Sequence, residues 1–140
     1  MDKAVIRYYR HLLKTGFPYS GALEHASIVV EDVGQKVLDC GSIDNYMQLY
    51  IRVVDNRIEE IAYLCSCAPT ANVAVEMLCA LVEGMPLEEA AGVSEQVLDR
   101  LLGSEDEELR IKARGLLALL NEGVARYRTR QRGDCANSDG

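Results

Sequence analysis

Apolar positions along this chain change period several times, and each change marks an element. Between Tyr46 and Val54, Met47, Leu49, Ile51 and Val53 alternate with Tyr46, Gln48, Tyr50 and Arg52. That period of two is the pattern of a half-buried strand. Asp55-Asn56 supplies a tight turn, and Arg57–Cys65 runs back as the partner strand. In the return strand Ile61, Tyr63, Cys65 and Cys67 fall on one side for as far as extension persists. Ser27–Val30 is β-branched and reads as an earlier strand, and Lys36–Cys40 as a further short extended piece. The hairpin meeting that earlier strand predicts a three-stranded antiparallel sheet.

Around the sheet the period lengthens to that of helices. Asp2–Lys14 places Ile6, Tyr9 and Leu13 in one stripe with Val5 and Leu12 beside it, and Thr15-Gly16 with Pro18 ends it. From about Pro69 to Glu83 a second helix is expected. Proline is tolerated in a first turn, where its missing N–H would be unpaired anyway. Val73, Met77 and Leu81, flanked by Ala74, Leu78 and Val82, give a face broad enough to cover a sheet. Gly84 suits the position after the last turn, and Pro86 stops continuation. Leu87–Ala91 and Ser94–Leu102 are short helices. Ser104-Glu105-Asp106-Glu107 forms a capping box for a last helix from about Glu105 to Arg128, with Leu109, Ala113, Leu116, Leu117, Leu120, Val124 and Tyr127 as its buried stripe. The expected class is α+β: a three-stranded antiparallel sheet, helices packed on one face, and a long C-terminal helix. Residues 1–129 form one domain in this reading. Residues 130–140 form a tail without apolar periodicity, expected to be disordered.

Composition narrows the functional classes. The chain has 140 residues and a net charge of −7, which argues against nucleic-acid binding, since that affinity comes largely from neutralising phosphates. No apolar run approaches the ~20 residues that cross a bilayer, and the N-terminal stretch lacks the apolar core of a signal peptide. The expectation is a cytoplasmic protein with neither a nucleic-acid nor a membrane partner. Arg126, Arg128, Arg130 and Arg132 gather at the end of the last helix, as a solvated basic end or a docking patch for an acidic partner.

Chemistry concentrates in the cysteines. Five stand at 40, 65, 67, 79 and 135, an odd number that fits a disulfide framework poorly. Cys65 and Cys67 lie where the return strand gives way to a helix, and a helix start favours thiolate over thiol. Cys79, on the apolar side of its helix, reads as core filler. His11 has no second ligand one turn away. No Gly-rich phosphate loop or nucleophile elbow supports phosphotransfer or hydrolysis.

The order of elements and several strings resemble the iron–sulfur cluster assembly scaffold family, of the IscU and NifU N-terminal-domain type. The match spans roughly Ala4 to Tyr127. It is carried by VIRYYR, Cys40-Gly41, MQLYIRVVDNRIEEIAYLCSC, APTANVAVEMLCALVEG, MPLEEA and the closing GVARYR. The resemblance implies a non-enzymatic carrier with no catalytic residues. Its thiolates would hold iron or a labile cluster, [2Fe–2S] in type, receive sulfur from a cysteine desulfurase, and pass the cluster to acceptor proteins.

Carried over residue by residue, the resemblance gives an incomplete ligand set. The family's first cysteine, in a Cys-Gly-Asp string, corresponds to Cys40-Gly41, but Ser42 replaces the aspartate and a small insertion follows, so Asp44 stands in for the acid. The second falls at Cys67 after a one-residue shift, since ungapped alignment on GMPLEEA reaches Ala68; Cys65 is additional. The third, on the last helix, is replaced by Lys112 or Ala113. The expected metal ligands are therefore Cys40, Cys65 and Cys67, with Asp44, His25, Cys135 or a partner's residue as the fourth ligand, or Asp44 as an acid in cluster release. Two other readings stay open: a binding module that kept the fold, with structural or zinc-binding thiols, and a redox protein using a Cys65–Cys67 disulfide.

Overall fold

The computed structural model describes residues 3–33, 46–65, 69–103 and 106–139, with side chains at all of these except 32, 33, 102 and 132–139. The elements run α1 (Lys3–Thr15), β1 (Ile28–Val33), β2 (Tyr46–Val54), β3 (Arg57–Cys65), α2 (Pro69–Val82), α3 (Leu87–Ala91), α4 (Glu95–Leu102) and α5 (Glu107–Asp139). The sheet has the order β1-β2-β3, and both pairings are antiparallel. This is the expected α+β architecture. The expected extended piece at Lys36–Cys40 lies outside the described residues.

The period-two pattern of β2 explains which face is covered. Met47, Leu49 and Ile51 are buried beneath the helices. On the opposite face Gln48 donates to Glu31 at 2.5 Å, Tyr50 donates to Gln48 at 2.8 Å, and Arg52 pairs with Glu59 and Glu60. A polar ladder of this kind lets one face of an antiparallel sheet meet water. Asp55 and Asn56 both take positive φ, 53° and 62°. That is the backbone of the two-residue hairpin turn whose twist matches its strands. β3 is backed on its outer edge by the segment after α1: Gly21 N–H donates to Tyr63 O, and Tyr63 N–H to Tyr19 O.

α2 and α5 pack on the sheet and on each other. α2 buries Val73, Ala74, Val75, Leu78, Cys79 and Val82, so the expected face is rotated: Met77 and Leu81 are only partly covered. Cys79 is fully buried, as core filler should be. In α5 the stripe from Leu109 to Val124 is buried as expected, with Leu119 added. Gly123 is the point of closest approach. A Cβ there would stand 2.8 Å from Val30 Cγ1 and 2.9 Å from Ile28 Cγ2.

One helix facing and two helix boundaries differ from expectation for identifiable reasons. In α1 the core is reached by Val5 and Leu12, whereas Leu13 is 60% exposed; the helix is rolled so that α2 meets the neighbouring stripe. α5 starts at Glu107, capped by Asp106, whose Oδ1 accepts from Glu108 N–H at 3.0 Å; Ser104 and Glu105 lie outside the described residues. α5 also runs on past Arg128 to Asp139, into the segment expected to be disordered. Loss of apolar periodicity ends the buried stripe but does not itself end a helix, because each further residue adds to an existing nucleus.

Candidate functional site

The candidate site begins at the last residue of β3. Alternation along that strand sends Ile61, Tyr63 and Cys65 to the covered face. Cys65 lies opposite Met47 in β2 and is partly exposed. Four residues later α2 begins, and its first turn brings Asn72 over the strand end. The Cys65 thiol donates to Asn72 Oδ1 at 3.6 Å.

Behind that contact lies a buried polar chain. Tyr63 Oη is 3.2 Å from Asn72 Oδ1 and 2.9 Å from Glu76 Oε2. Glu76 is 1% exposed, yet it also accepts from Tyr19 N–H at 3.3 Å. Tyr19 Oη in turn donates to Glu83 Oε1 at 3.1 Å. Burial raises the Glu76 carboxyl above its ordinary range, while the bonds from Tyr63 and Tyr19 pull it back. The same burial, reinforced by the Glu76 charge and hydrogen bond, pushes the Tyr63 hydroxyl upward. Burial and Glu83 lift Tyr19 to about 12. Cys79 is raised well above an ordinary thiol by burial, then by Glu76 and Glu83. It is therefore a packed thiol and no nucleophile.

A phenol has one proton, so Tyr63 can donate to Glu76 or to Asn72 but not to both. An ionised carboxylate is the stronger acceptor, and it is also the nearer one. With the Tyr63 proton on Glu76, a half-turn of the Asn72 amide presents its NH2 to both Tyr63 Oη and Cys65 Sγ. Asn72 can thus accept from the Cys65 thiol or donate to its thiolate, which suits a sulfur that exchanges a proton for a metal.

The other expected site residues are placed as follows. Cys40, Asp44 and Cys67 lie outside the described residues, as do Ser42 and the side chain of Cys135. His25 is exposed in the segment between α1 and β1, and His11 is exposed on α1, beside Tyr8. Lys112 and Ala113, at the expected place of the third cysteine, are both buried on α5, at 4% and 3% exposure. Both positions are thus covered by the packing of α5. Among the described residues no three His, Cys, Asp or Glu side chains are grouped to hold a metal ion.

The match to known proteins decides the family. The family model described as the NifU-like N terminal domain matches residues 4–134. The chain belongs to the NifU-like N-terminal domain family. No curated protein matches it in sequence. Among solved structures, a protein of thermophilic Fervidobacterium islandicum AW-1, described as an iron–sulfur cluster assembly scaffold for the SUF system, aligns with a TM-score of 0.60 and 13% identity; the match covers 89% of this chain and 93% of that one. The N-terminal part of a nitrogen-fixing NifU-like protein from Brucella abortus aligns at 0.55 and 13%, covering 91% of each chain. A hypothetical protein aligns at 0.62 and 17%, covering 89% of this chain and 99% of that one. At such identities these structures establish the shared fold. Within this NifU-like domain, no helix among the described residues is long and apolar enough to cross a membrane.

Sequence reasoning missed Asn72, Tyr63 and Glu76 as one unit. A signal was present: Glu76 is the lone acid in the apolar run NVAVEMLCALV. An acid on the covered face of a helix requires buried partners, and Tyr63 was already on the facing side of the strand.

Proposed function

We propose that this NifU-like domain is an iron–sulfur scaffold that receives iron and sulfur as cargo and releases a labile cluster, [2Fe–2S] in type. Cys65 and, by the carry-over, Cys40 and Cys67 supply the thiolates. Asp44 is the proposed fourth ligand or release acid. The sulfur donor is a cysteine desulfurase, and the products go to acceptor proteins, as is general in this family. Residues 1–129 constitute the scaffold domain in this proposal, and its setting is cytoplasmic. The observation that carries the reading is Cys65 itself: a partly exposed thiol at a strand-to-helix junction, bonded to an amide able to serve either protonation state, in a chain matched to the family over residues 4–134.

One observation favours the alternative of a binding module with structural or zinc-holding thiols. The third ligand position holds buried Lys112 or Ala113, and a lysine is a charge and hydrogen-bond partner for a thiolate rather than a thiolate. With three cysteines in place of the usual four thiolates, the cargo is held weakly.

Anaerobic reconstitution with iron and sulfide tests the two readings together. The scaffold reading expects iron and sulfide to co-elute with the protein, with thiolate-to-iron absorption that Cys65→Ser or Cys67→Ser removes. Lys112→Cys, which restores the missing thiol, should slow loss of the cluster to a chelator. Absence of cluster absorption in wild type and in Lys112→Cys alike would overturn it, and stoichiometric zinc lost on changing Cys67 would install the alternative.

A further inference from the structure

The charge of this chain is unevenly distributed. Helix α1, KAVIRYYRHLLKT, carries Lys3, Arg7, Arg10 and Lys14 and no acid. The whole chain has a net charge of −7, so with these four cations removed the remainder carries −7 − 4 = −11. The spacings of four, three and four residues place all four cations along one helix face. All four are exposed, and they border a shallow furrow with Ile6 and His11.

Among the described residues none of these four cations forms an ion pair, whereas Arg52, Arg110, Arg114 and Arg126 each face a carboxylate. The basic end of α5 differs in the same respect: Arg126 is held by Glu122, and Arg130 donates to the Ser27 carbonyl at 3.1 Å. Arg126 and Arg130 thus have partners within the chain, and among the described residues the α1 cations have no ion pair.

We propose that the exposed face of α1 is a docking surface for an acidic segment of a partner protein. Like-charged groups in register on one helix repel each other, so the stripe is a cost to α1 until carboxylates neutralise it. The span from residue 3 to residue 14 is roughly 16 Å at 1.5 Å per residue, which suits a short acidic segment laid along the helix. Ile6 in the furrow and Leu13 beside it, 60% exposed, give such a segment apolar contacts as well.

The same arithmetic disfavours extended anions. A bilayer or a long polyanion presents its charge over a surface wider than one helix, bringing the acidic remainder of the chain within a Debye length of about 8 Å. A narrow segment touches α1 alone. A membrane-lying helix also needs its apolar face for lipid, and here Val5 and Leu12 on that face are buried in the core. The proposal is independent of the thiol chemistry, since it uses no residue of the candidate metal site.

The test is fluorescence anisotropy of the full chain with a labelled peptide of about five or six Glu and Asp residues, which when extended at ~3.3 Å per residue covers the ~16 Å stripe. In parallel, the chain is sedimented with phosphatidylserine vesicles and competed with inorganic polyphosphate. The expected result is salt-sensitive peptide binding that Arg7→Glu with Arg10→Glu weakens roughly tenfold or more, as loss and reversal of two exposed pairs implies. Arg126→Glu with Arg128→Glu, reversing the α5 end, should leave the affinity within about twofold. Circular dichroism confirms that both variants remain folded. No peptide binding, equal binding by the α1 variant, or tighter binding to vesicles or polyphosphate would each overturn the proposal.

Discussion

Tyr63→Phe removes one oxygen from the buried chain behind Cys65 and tests whether that chain is an energetic unit. The hydroxyl is 2.9 Å from Glu76 Oε2, and Tyr63 and Glu76 are 2% and 1% exposed, so water cannot replace the lost donor cheaply. A hydrogen bond to a charged group contributes about 1.5–3 kcal/mol and one between neutral groups about 0.5–1.5 kcal/mol. Above the Glu76 pKa the ionised carboxylate would keep only the longer bond from Tyr19 N–H, so the upper range applies. Below it Glu76 is neutral, and the lower range applies. The cost of Tyr63→Phe should therefore be larger at pH 7.5 than at pH 4 by roughly 1 kcal/mol. Urea unfolding followed by circular dichroism at the two pH values measures this. The cycle closed with Glu76→Gln and the double variant isolates the pair, with an expected coupling of about 1–2 kcal/mol at pH 7.5. A cost below about 0.5 kcal/mol at pH 7.5, within the range of ordinary surface changes, would refute the reasoning. So would equal costs at both pH values with no coupling.

Two further perturbations follow from the same packing. Because burial raises Glu76 in the folded protein, its contribution to stability is fully present below the unfolded value of about 4.3. It is lost as pH rises through the elevated native value. Wild type should thus lose stability relative to Glu76→Gln across that window, and parallel pH profiles of the two urea midpoints would contradict the assignment. Gly123→Ala sets a helix-propensity gain of about 1 kcal/mol against a Cβ at 2.8 Å from Val30 and 2.9 Å from Ile28. Overpacking of that kind costs about 1–3 kcal/mol, so a lower thermal midpoint is expected, and a higher one would show that α5 can lift from β1 freely.

Much of the fold was legible because its strands and helices differ cleanly in period. The β2–β3 hairpin has the expected limits, since the alternation from Met47 to Val53 and the Asp55-Asn56 turn specify one register. The two errors in helix facing have one cause. Periodicity in α1 allowed either Leu12 or Leu13 as the inward residue, and only contact with α2 selects Leu12. Likewise the capping signal at 104–107 contained two competent caps, Ser104 and Asp106. In the structure Glu108 N–H donates to Asp106 Oδ1, and Ser104 lies outside the described residues.

At the candidate site residue type singled out the thiols, of which Cys65 lies among the described residues and Cys40 and Cys67 do not, and it said little of their surroundings. A cysteine is a candidate by residue type, and its surroundings decide whether it reacts. Asn72 and Glu76 acquire theirs only from being opposite Cys65 and Tyr63, a pairing made by the crossing of α2 over β3. Their effect on the thiol is nonetheless the more specific statement about this chain. Spacing alone would leave Cys65 as the extra member of a Cys-Ser-Cys string. The bond to Asn72, held from behind by Tyr63 and an ionisable Glu76, gives Cys65 a partner able to follow its proton. A structural thiol of the kind seen at Cys79 needs no such partner: it is surrounded by apolar side chains and raised beyond reactivity. These two cysteines stand fourteen residues apart on adjoining elements, and their surroundings separate a buried hydrophobe from a thiol within reach of solvent and of a polar partner.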